Sequence, residues 1–131
     1  MAKDRLRLGE ALLVFPEGTR SRSGQMQRLL PGAARYLESR DTWVLPVGLA
    51  GTERLFPIGA DSLSPVPITM RIGRPVPARA IDEHAGGNRR LMMDGLGVAI
   101  AELLPPEYRG AYGDETPRDE RAHRLHQQVF G

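Results

Sequence analysis

The stretch LLVFPEGTRSRSG, residues 12–24, joins an apolar run to a cluster of polar residues. The run from Leu12 to Phe15 has the length of a short buried strand, and Pro16 ends it because proline cannot donate to a strand ladder. The residues that follow, among them Gly18 and Gly24, are typical of a turn and a loop. We therefore expect a polar loop at the end of a buried strand, which is where parallel α/β sheets bind their ligands.

The side chains of this loop favour an anionic ligand. Gly18 lets the backbone turn tightly and approach a ligand closely. Thr19 offers a hydroxyl and an N–H group, and Arg20 presents a planar fork of donors that matches phosphate or carboxylate oxygens. Glu17 would repel a phosphate, so we expect it to orient Arg20 or to accept a hydrogen bond from a substrate hydroxyl. A plain surface turn with a Glu–Arg ion pair is the alternative interpretation.

The order of the apolar runs predicts an α/β fold. A second buried strand is expected over residues 43–49, and the segment from Ala33 to Ser39 carries the signals of a helix between the two strands. This strand–helix–strand order predicts a βαβ unit with parallel strands. Alternation over residues 68–72 predicts a half-buried strand, and residues 73–80, which contain two prolines, are expected to be extended.

A longer helix is expected from Arg89 to Leu104, with Asn88 as its N-cap. One face of this helix is apolar and consists of Met92, Leu96, Ala99, Ile100 and Leu103. Gly95 and Gly97 should weaken the helix by roughly 1 kcal/mol each relative to Ala. Trp43 and the pair Met92–Met93 are expected to be core residues.

Length and composition indicate one soluble domain. The chain has 131 residues, of which 40% are hydrophobic and 26% charged, and it has no cysteine. Disulfides and thiol nucleophiles are therefore excluded. We expect the folded domain over residues 1–112 and a charged, flexible tail over residues 113–131.

The positive charge is concentrated around the opening stretch. Residues 1–40 hold eight basic and four acidic side chains, although the net charge of the chain is only +2. This excess favours an anionic small molecule or an anionic membrane surface. An aromatic content of 5% and the small net charge argue against a nucleic-acid partner.

FPEGTRS, residues 15–21, resembles the third conserved block of the glycerolipid acyltransferases, the family that includes lysophosphatidic acid acyltransferase. Other stretches agree with that family: RLGEALLV at 7–14, GAAR at 32–35, VLPVGLAG at 44–51 and TMRIGRPV at 69–76. The resemblance covers roughly residues 6–110. It implies a partial glycerol-phosphate acyltransferase-type α/β fold, with a mostly parallel sheet and flanking helices.

The resemblance also implies a reaction in phospholipid biosynthesis. An acyl group would pass from a thioester of coenzyme A or acyl carrier protein to a hydroxyl of glycerol phosphate or a lysophospholipid, with no other cofactor and no metal. Glu17, Gly18, Thr19 and Arg20 would bind the phosphate and glycerol of the acceptor. The supporting residues would be Phe15, Pro16, Ser21 and Pro46. Because the acceptor is a lipid, the expected location is the cytoplasmic face of a membrane.

One part of the family pattern has no counterpart in this sequence. The family places a catalytic His-x4-Asp pair before the FPEGTRS block, whereas His84, His123 and His126 all follow it and none has Asp at the fifth position after it. The resemblance therefore implies the C-terminal half of an acyltransferase domain, inactive alone because general-base catalysis contributes about 10²–10⁴-fold. All three histidines are expected at the surface. A non-catalytic module that binds phosphate or lipid headgroups is the alternative.

The sequence predicts neither a membrane span nor a signal peptide. No apolar run approaches the roughly 20 residues that cross a bilayer, and the residues after Met1 lack the apolar core of a signal peptide. Exposed strand edges and apolar faces are expected on half a domain, so we predict that the chain is marginally stable or oligomeric.

Overall fold

The computed structural model describes residues 2–38, 41–55, 59, 61–62 and 65–131. Four α-helices of this part are α1 (Ala2–Arg7), α2 (Ala78–Ala85), α3 (Arg89–Ala101) and α4 (Glu120–Val129). Four short strands are β1 (Trp43–Val44), β2 (Val47–Ala50), β3 (Thr69–Ile72) and β4 (Val76–Pro77). Short 3-10 helices occupy Pro31–Tyr36, Thr52–Arg54, Pro106–Tyr108 and Gly110–Tyr112. The fold is therefore of mixed α and β type.

Helix α3 lies at the centre of the core. Its predicted N-cap is confirmed, because the side-chain oxygen of Asn88 accepts a hydrogen bond from the N–H of Leu91 at 3.0 Å. Met92 and Met93 are almost completely buried, as predicted. Residues 92–99 are buried on all sides, so the helix packs against neighbours around its whole circumference and not on one face only.

The two glycines of α3 make room for neighbouring side chains. A Cβ atom at Gly95 would clash with Leu125 of α4, and one at Gly97 would clash with the ring of Tyr112. The low helix propensity of glycine is thus offset by close packing that no larger residue would permit.

Helix α4 corrects the prediction that the chain is frayed beyond Tyr112. Asp119 caps this helix by accepting hydrogen bonds from the N–H groups of Arg121 (3.0 Å) and Ala122 (3.2 Å). Leu125 and Val129 are buried against α3 and α2. The helix was not predicted because most of its residues are charged or polar, and only Ala122, Leu125 and Val129 form an apolar i, i+3, i+7 pattern. The domain boundary after residue 112 stays a prediction.

Helix α2 was not predicted, and its first residues fall in the segment 73–80 that was expected to be extended. Ala78, Ile81 and Ala85 are buried at helical spacing. Gly86 ends the helix in the left-handed conformation with φ +60°. Two prolines precede this short apolar pattern, and Pro77 lies just before the first helical residue, where proline is tolerated.

The sheets are two separate antiparallel ribbons, so the predicted mostly parallel sheet is wrong for the described residues. β1 pairs with β4, and β2 pairs with β3, with Val47 opposite Ile72 and Ala50 opposite Thr69. The predicted strand over residues 43–49 is interrupted at Pro46, whose carbonyl accepts a hydrogen bond from Gly73 N–H at 2.9 Å. The half-buried strand predicted over residues 68–72 is exposed along all of β3.

Two further predictions of burial are wrong. Residues 12–15 belong to no helix or strand and are exposed, and Leu13 and Phe15 have 79% and 70% of their surface accessible. No other described residue forms a strand ladder with them, and an unpaired segment cannot form a buried strand. Trp43, predicted in the core, is 66% exposed.

The helix predicted over residues 33–39 is a 3-10 helix, Pro31–Tyr36, and Ser39 lies outside the described residues.

Candidate functional site

The predicted binding loop begins with a tight turn. The N–H of Gly18 donates to the carbonyl of Phe15 at 3.1 Å, and Gly18 has φ +80°. A Cβ at Gly18 would clash with the side chain of Leu30. The turn therefore requires glycine twice, for its backbone conformation and for the space that Leu30 occupies.

The carboxylate of Glu17 connects the start of the loop to the chain that follows it. One of its oxygens accepts a hydrogen bond from the backbone N–H of Gln27 at 2.8 Å, and the side-chain amide of Gln27 donates to the carbonyl of Thr19 at 3.2 Å. This contact of Glu17 was not among the predicted roles. A carboxylate has two oxygens and further acceptor capacity, so the bond leaves room for a substrate hydroxyl.

The predicted site residues fall into an exposed and a supporting group. Thr19 and Arg20 are exposed on the loop, while Ser21 is half-buried with its hydroxyl 3.2 Å from that of Ser23. Pro46 is buried at the bend between β1 and β2 and contacts Gly73. Residues 15–21 therefore form one loop, whereas Pro46 lies outside that loop, at the bend between β1 and β2.

A segment that we call the splint, residues 27–30, connects the loop to the core. The N–H of Leu30 donates to the carbonyl of Pro16 at 2.9 Å. On its other side, the N–H of Leu29 donates to the phenol oxygen of Tyr112 at 2.9 Å. Just before the splint, Met26 exchanges backbone hydrogen bonds with Tyr108 (2.8 Å) and Ala111 (3.0 Å). The loop is therefore held by residues that lie far away along the sequence.

Asp94 anchors the splint to α3. Its carboxylate, 3% exposed, accepts bidentate hydrogen bonds from Arg28 at 2.7 and 3.2 Å and from Arg90 at 2.8 and 3.2 Å. Tyr112 donates a further bond at 2.9 Å, and Arg90 also bonds the carbonyl of Leu29. Burial alone would raise the pKa of Asp94, but the bonds from Arg28, Tyr112 and Arg90 outweigh burial, so its pKa lies below the ordinary value.

Asp94 was not among the predicted site residues. The available signal was an acidic residue within the apolar run Leu91–Ala101, four residues after Arg90. Because its partner Arg28 is 66 positions away, only the fold brings the pair together. Arg28 is committed to this carboxylate through two hydrogen bonds.

Two clefts lie near these residues. The smaller, of about 260 Å³, is next to the loop and is lined by Phe15, Pro16, Leu30, Gly32, Ala33 and Arg35. The larger, of about 530 Å³, is lined by 13 residues that include Arg28, Asp94, Asp119 and Arg118. Four of its charged groups have partners within the chain, since Arg28 binds Asp94, Asp119 caps α4 and Arg118 pairs with Glu120 at 3.3 Å.

The three histidines have contacts of their own. His84 is exposed on α2, as predicted, with Nδ1 2.8 Å from the carbonyl of Ala80. His123 is half-buried, and its Nδ1 lies 3.0 Å from the carbonyl of Asp119. His126 is buried, contrary to the prediction, with Nε2 3.2 Å from the carboxylate of Glu102. None of these described contacts pairs a histidine with an aspartate carboxylate.

Two other kinds of feature, a metal site and a membrane-spanning helix, were sought among the described residues. Within the described ranges, no three His, Cys, Asp or Glu side chains are grouped so that they could hold a metal ion. A search of the helices in the same ranges finds none with the length and apolar character to cross a bilayer.

Comparisons with known proteins point to one family. Residues 1–50 match the family model described as Acyltransferase. The chain is 31% identical over 119 residues to a 1-acyl-sn-glycerol-3-phosphate acyltransferase of Chlamydomonas reinhardtii, covering 90% of this chain and 34% of that protein. It is 33% identical over 58 residues to a chloroplastic 1-acyl-sn-glycerol-3-phosphate acyltransferase of Arabidopsis thaliana, covering 44% of this chain and 16% of that protein.

The chain thus spans about a third of the length of the first relative and less of the second. No solved structure matches it significantly. The matched residues 1–50 include the whole loop and the splint.

Proposed function

Because this chain belongs by sequence to the acyltransferase family, we propose that it carries the acceptor-binding part of a 1-acylglycerol-3-phosphate O-acyltransferase. The observation that supports this most is the loop of residues 15–21, which lies in the matched region and displays Thr19 and Arg20 to solvent. Acyl transfer in glycerolipid synthesis is the role that the names of its relatives share.

In this proposal each residue of the loop has a defined task. Arg20 binds the phosphate of the acceptor through paired N–H donors, and Thr19 adds its hydroxyl. Gly18 permits close approach of the backbone, and Glu17 accepts a hydrogen bond from a glycerol hydroxyl while it keeps the Gln27 contact. The splint and Asp94 hold these groups in place before the ligand arrives, which lowers the entropy that binding costs.

The reaction that we propose is the attack of the free acceptor hydroxyl on the carbonyl carbon of an acyl thioester. A new C–O ester bond forms, the C–S bond breaks, and the thiol of coenzyme A or acyl carrier protein leaves with the proton of the hydroxyl. A general base must accept that proton first. We propose that a His-x4-Asp pair outside these 131 residues supplies it, so that the chain alone binds the acceptor without turning it over.

The test compares binding and turnover by the 131-residue chain. Glycerol 3-phosphate is titrated into the wild type, Arg20→Ala and the control Arg22→Ala, with amide chemical shifts as the readout. We expect shifts in residues 17–21 that Arg20→Ala weakens at least tenfold, as expected for the loss of a charge-assisted hydrogen-bonded pair, and that Arg22→Ala leaves largely unchanged. Equal effects of the two variants would contradict the role of Arg20.

The same preparation is then assayed with acyl-CoA and 1-acylglycerol 3-phosphate. We expect no acyl transfer by the chain alone. Turnover would contradict the proposed division of the site, and His84 would be the first residue to mutate. Binding without turnover, even when an acyltransferase segment with a His-x4-Asp pair is added, would favour the non-catalytic headgroup-binding module.

We further propose that the chain works at a membrane surface, because acceptor and product are lipids. Exposed apolar side chains at the start of the loop that carries Arg20 and Arg22 support this, notably Leu13 and Phe15. Co-sedimentation with vesicles that contain anionic lipid should exceed that with neutral vesicles and should fall with added salt. Equal binding to both kinds of vesicle would contradict an electrostatic contribution.

A further inference from the structure

The smaller cleft shares residues with the binding loop. Phe15 and Pro16, which open the FPEGTRS block, form one side of it, and Leu30 forms another. Leu30 also covers Gly18 and bonds the carbonyl of Pro16 at 2.9 Å. One side chain therefore separates the cleft from the turn that displays Thr19 and Arg20, so a ligand held by the loop lies beside the cleft.

The lining of the cleft is apolar apart from one cation. Phe15 is 70% exposed and Leu30 is 50% exposed, which leaves large apolar surfaces in contact with water. Arg35 lies at the cleft with its guanidinium 4.9 Å above the ring of Tyr36 and 2.9 Å from the Tyr36 hydroxyl. The cleft thus offers apolar walls and positive charge together, which matches an amphiphile with an anionic head.

We propose that this cleft, which we call the acyl cleft, is the subsite for the first carbons of the acyl chain that the acceptor already carries. The inference rests on the proposed function, which supplies an acceptor with a phosphate and one acyl chain. The phosphate lies on the loop and the chain passes over Leu30 between Phe15 and Ala33. A volume of about 260 Å³ is below the 300 Å³ at which pockets for whole small ligands begin. The cleft therefore holds only the part of the chain next to the glycerol.

Gly32 offers a way to fill the acyl cleft without disturbing the fold. It lines the cleft, and a Cβ atom added there would meet no other atom within 4 Å. Its φ lies outside the left-handed region, so a larger residue causes no backbone strain. Gly32→Leu should fill the cleft, and Gly32→Ala serves as the matched control with the same backbone change and little added volume.

The experiment titrates the 131-residue chain with glycerol 3-phosphate, 1-hexanoylglycerol 3-phosphate and 1-hexanoylglycerol. Each methylene buried in the cleft should tighten binding roughly fourfold. We expect 1-hexanoylglycerol 3-phosphate to bind the wild type at least about tenfold more tightly than glycerol 3-phosphate. Gly32→Leu should abolish this advantage without changing the affinity for glycerol 3-phosphate, while Gly32→Ala should retain it. The amide spectrum of each variant shows whether it is folded.

The three ligands separate failure of the cleft from failure of the phosphate site. Equal affinity of the wild type for both phosphates, or an advantage that survives in a folded Gly32→Leu, would overturn the acyl cleft and leave the phosphate site standing. If 1-hexanoylglycerol shifts the amides of Gly32 and Ala33 while glycerol 3-phosphate shifts nothing, the cleft is supported and the phosphate site fails. If no ligand binds, both proposals are overturned.

Discussion

Asp94 shows how a single buried charge can organise a binding loop that it does not touch. Its carboxylate accepts hydrogen bonds from two arginines and a tyrosine. Of these, Arg28 belongs to the splint, and Tyr112 accepts a hydrogen bond from the N–H of Leu29 in the splint. The splint in turn bonds Pro16 and Glu17. The geometry of the loop therefore depends on a carboxylate in the central helix.

We predict that Asp94→Asn lowers the free energy of unfolding by about 2–4 kcal/mol, because it leaves two guanidinium groups without their shared counter-charge. Arg28 is 60% exposed in its side chain, and water there reduces the loss. Urea denaturation monitored by the fluorescence of Trp43 measures the change. Glu38→Gln, which breaks the exposed pair with Arg89, is the control and should cost less than about 1 kcal/mol. Equal losses would show that burial of Asp94 adds nothing.

His126 should make stability depend on pH. Burial lowers its pKa; Glu102 opposes this shift, and His123 adds to it. Between the lowered pKa and the ordinary value of about 6.5, the unfolded chain binds more protons than the folded one, so acid favours unfolding. The stabilisation is present above about pH 6.5 and is lost as pH falls through that value.

We therefore expect the melting temperature to fall between pH 7.5 and pH 5.5, and His126→Gln to reduce that difference. His84→Gln, at an exposed position, should leave it unchanged. Calorimetry at both pH values checks this. A wild type whose melting temperature rises on acidification would mean that the ion pair with Glu102 dominates over burial.

The packing of α4 on α3 reverses an expectation drawn from helix propensity. Propensity alone predicts that Gly95→Ala stabilises α3 by roughly 1 kcal/mol. In the folded chain the new methyl group would overlap Leu125, so we expect a destabilisation of about 1–3 kcal/mol instead. Thermal unfolding of Gly95→Ala decides between the two signs. In Gly95→Ala combined with Leu125→Ala the clash is absent, so the loss should be smaller than the sum of the two single losses.

Helices with a strong local signal could be predicted, while pairings between distant segments could not. The Asn88 cap and the burial of Met92 are local properties of the sequence, and both are confirmed. The direction of the strands depends on which segments meet. Nothing local to Trp43 or Val47 reveals that β1 pairs with β4 and β2 with β3.

The same distinction applies to the candidate site. The glycine at position 18 and the exposed Arg20 followed from turn chemistry and from the family resemblance. The bond from Gln27 to Glu17 and the role of Asp94 did not, because they depend on how the loop folds back onto α3. Ligand contacts of the loop remain a prediction.

Several large apolar side chains are exposed in the part of the chain that the structure describes. Leu13, Phe15 and Trp43 are exposed by 66% or more, and Met70 and Ile72 of β3 by about 60%. The contact of these apolar side chains with water is energetically unfavourable.

We predict that the isolated chain self-associates reversibly at micromolar concentrations. Sedimentation velocity over a concentration series should show a rising average mass. Met70→Lys with Ile72→Lys should shift the chain towards the monomer, whereas Gln127→Lys with Gln128→Lys adds the same charge on exposed α4 positions and should have a smaller effect. A wild type that stays monomeric at all concentrations would contradict the prediction.

The bond between Leu29 and Tyr112 spans 83 residues, and this separation has a consequence for biosynthesis. A ribosome that adds about 5–20 residues per second needs roughly 4–17 s to make that stretch. During this interval the splint is already made, but it lacks the carboxylate of Asp94 until residue 94 has been added and the hydroxyl of Tyr112 until the interval ends. The loop can therefore reach its final geometry only after residue 112 has been made, and until then the apolar residues 12–15 are available to chaperones.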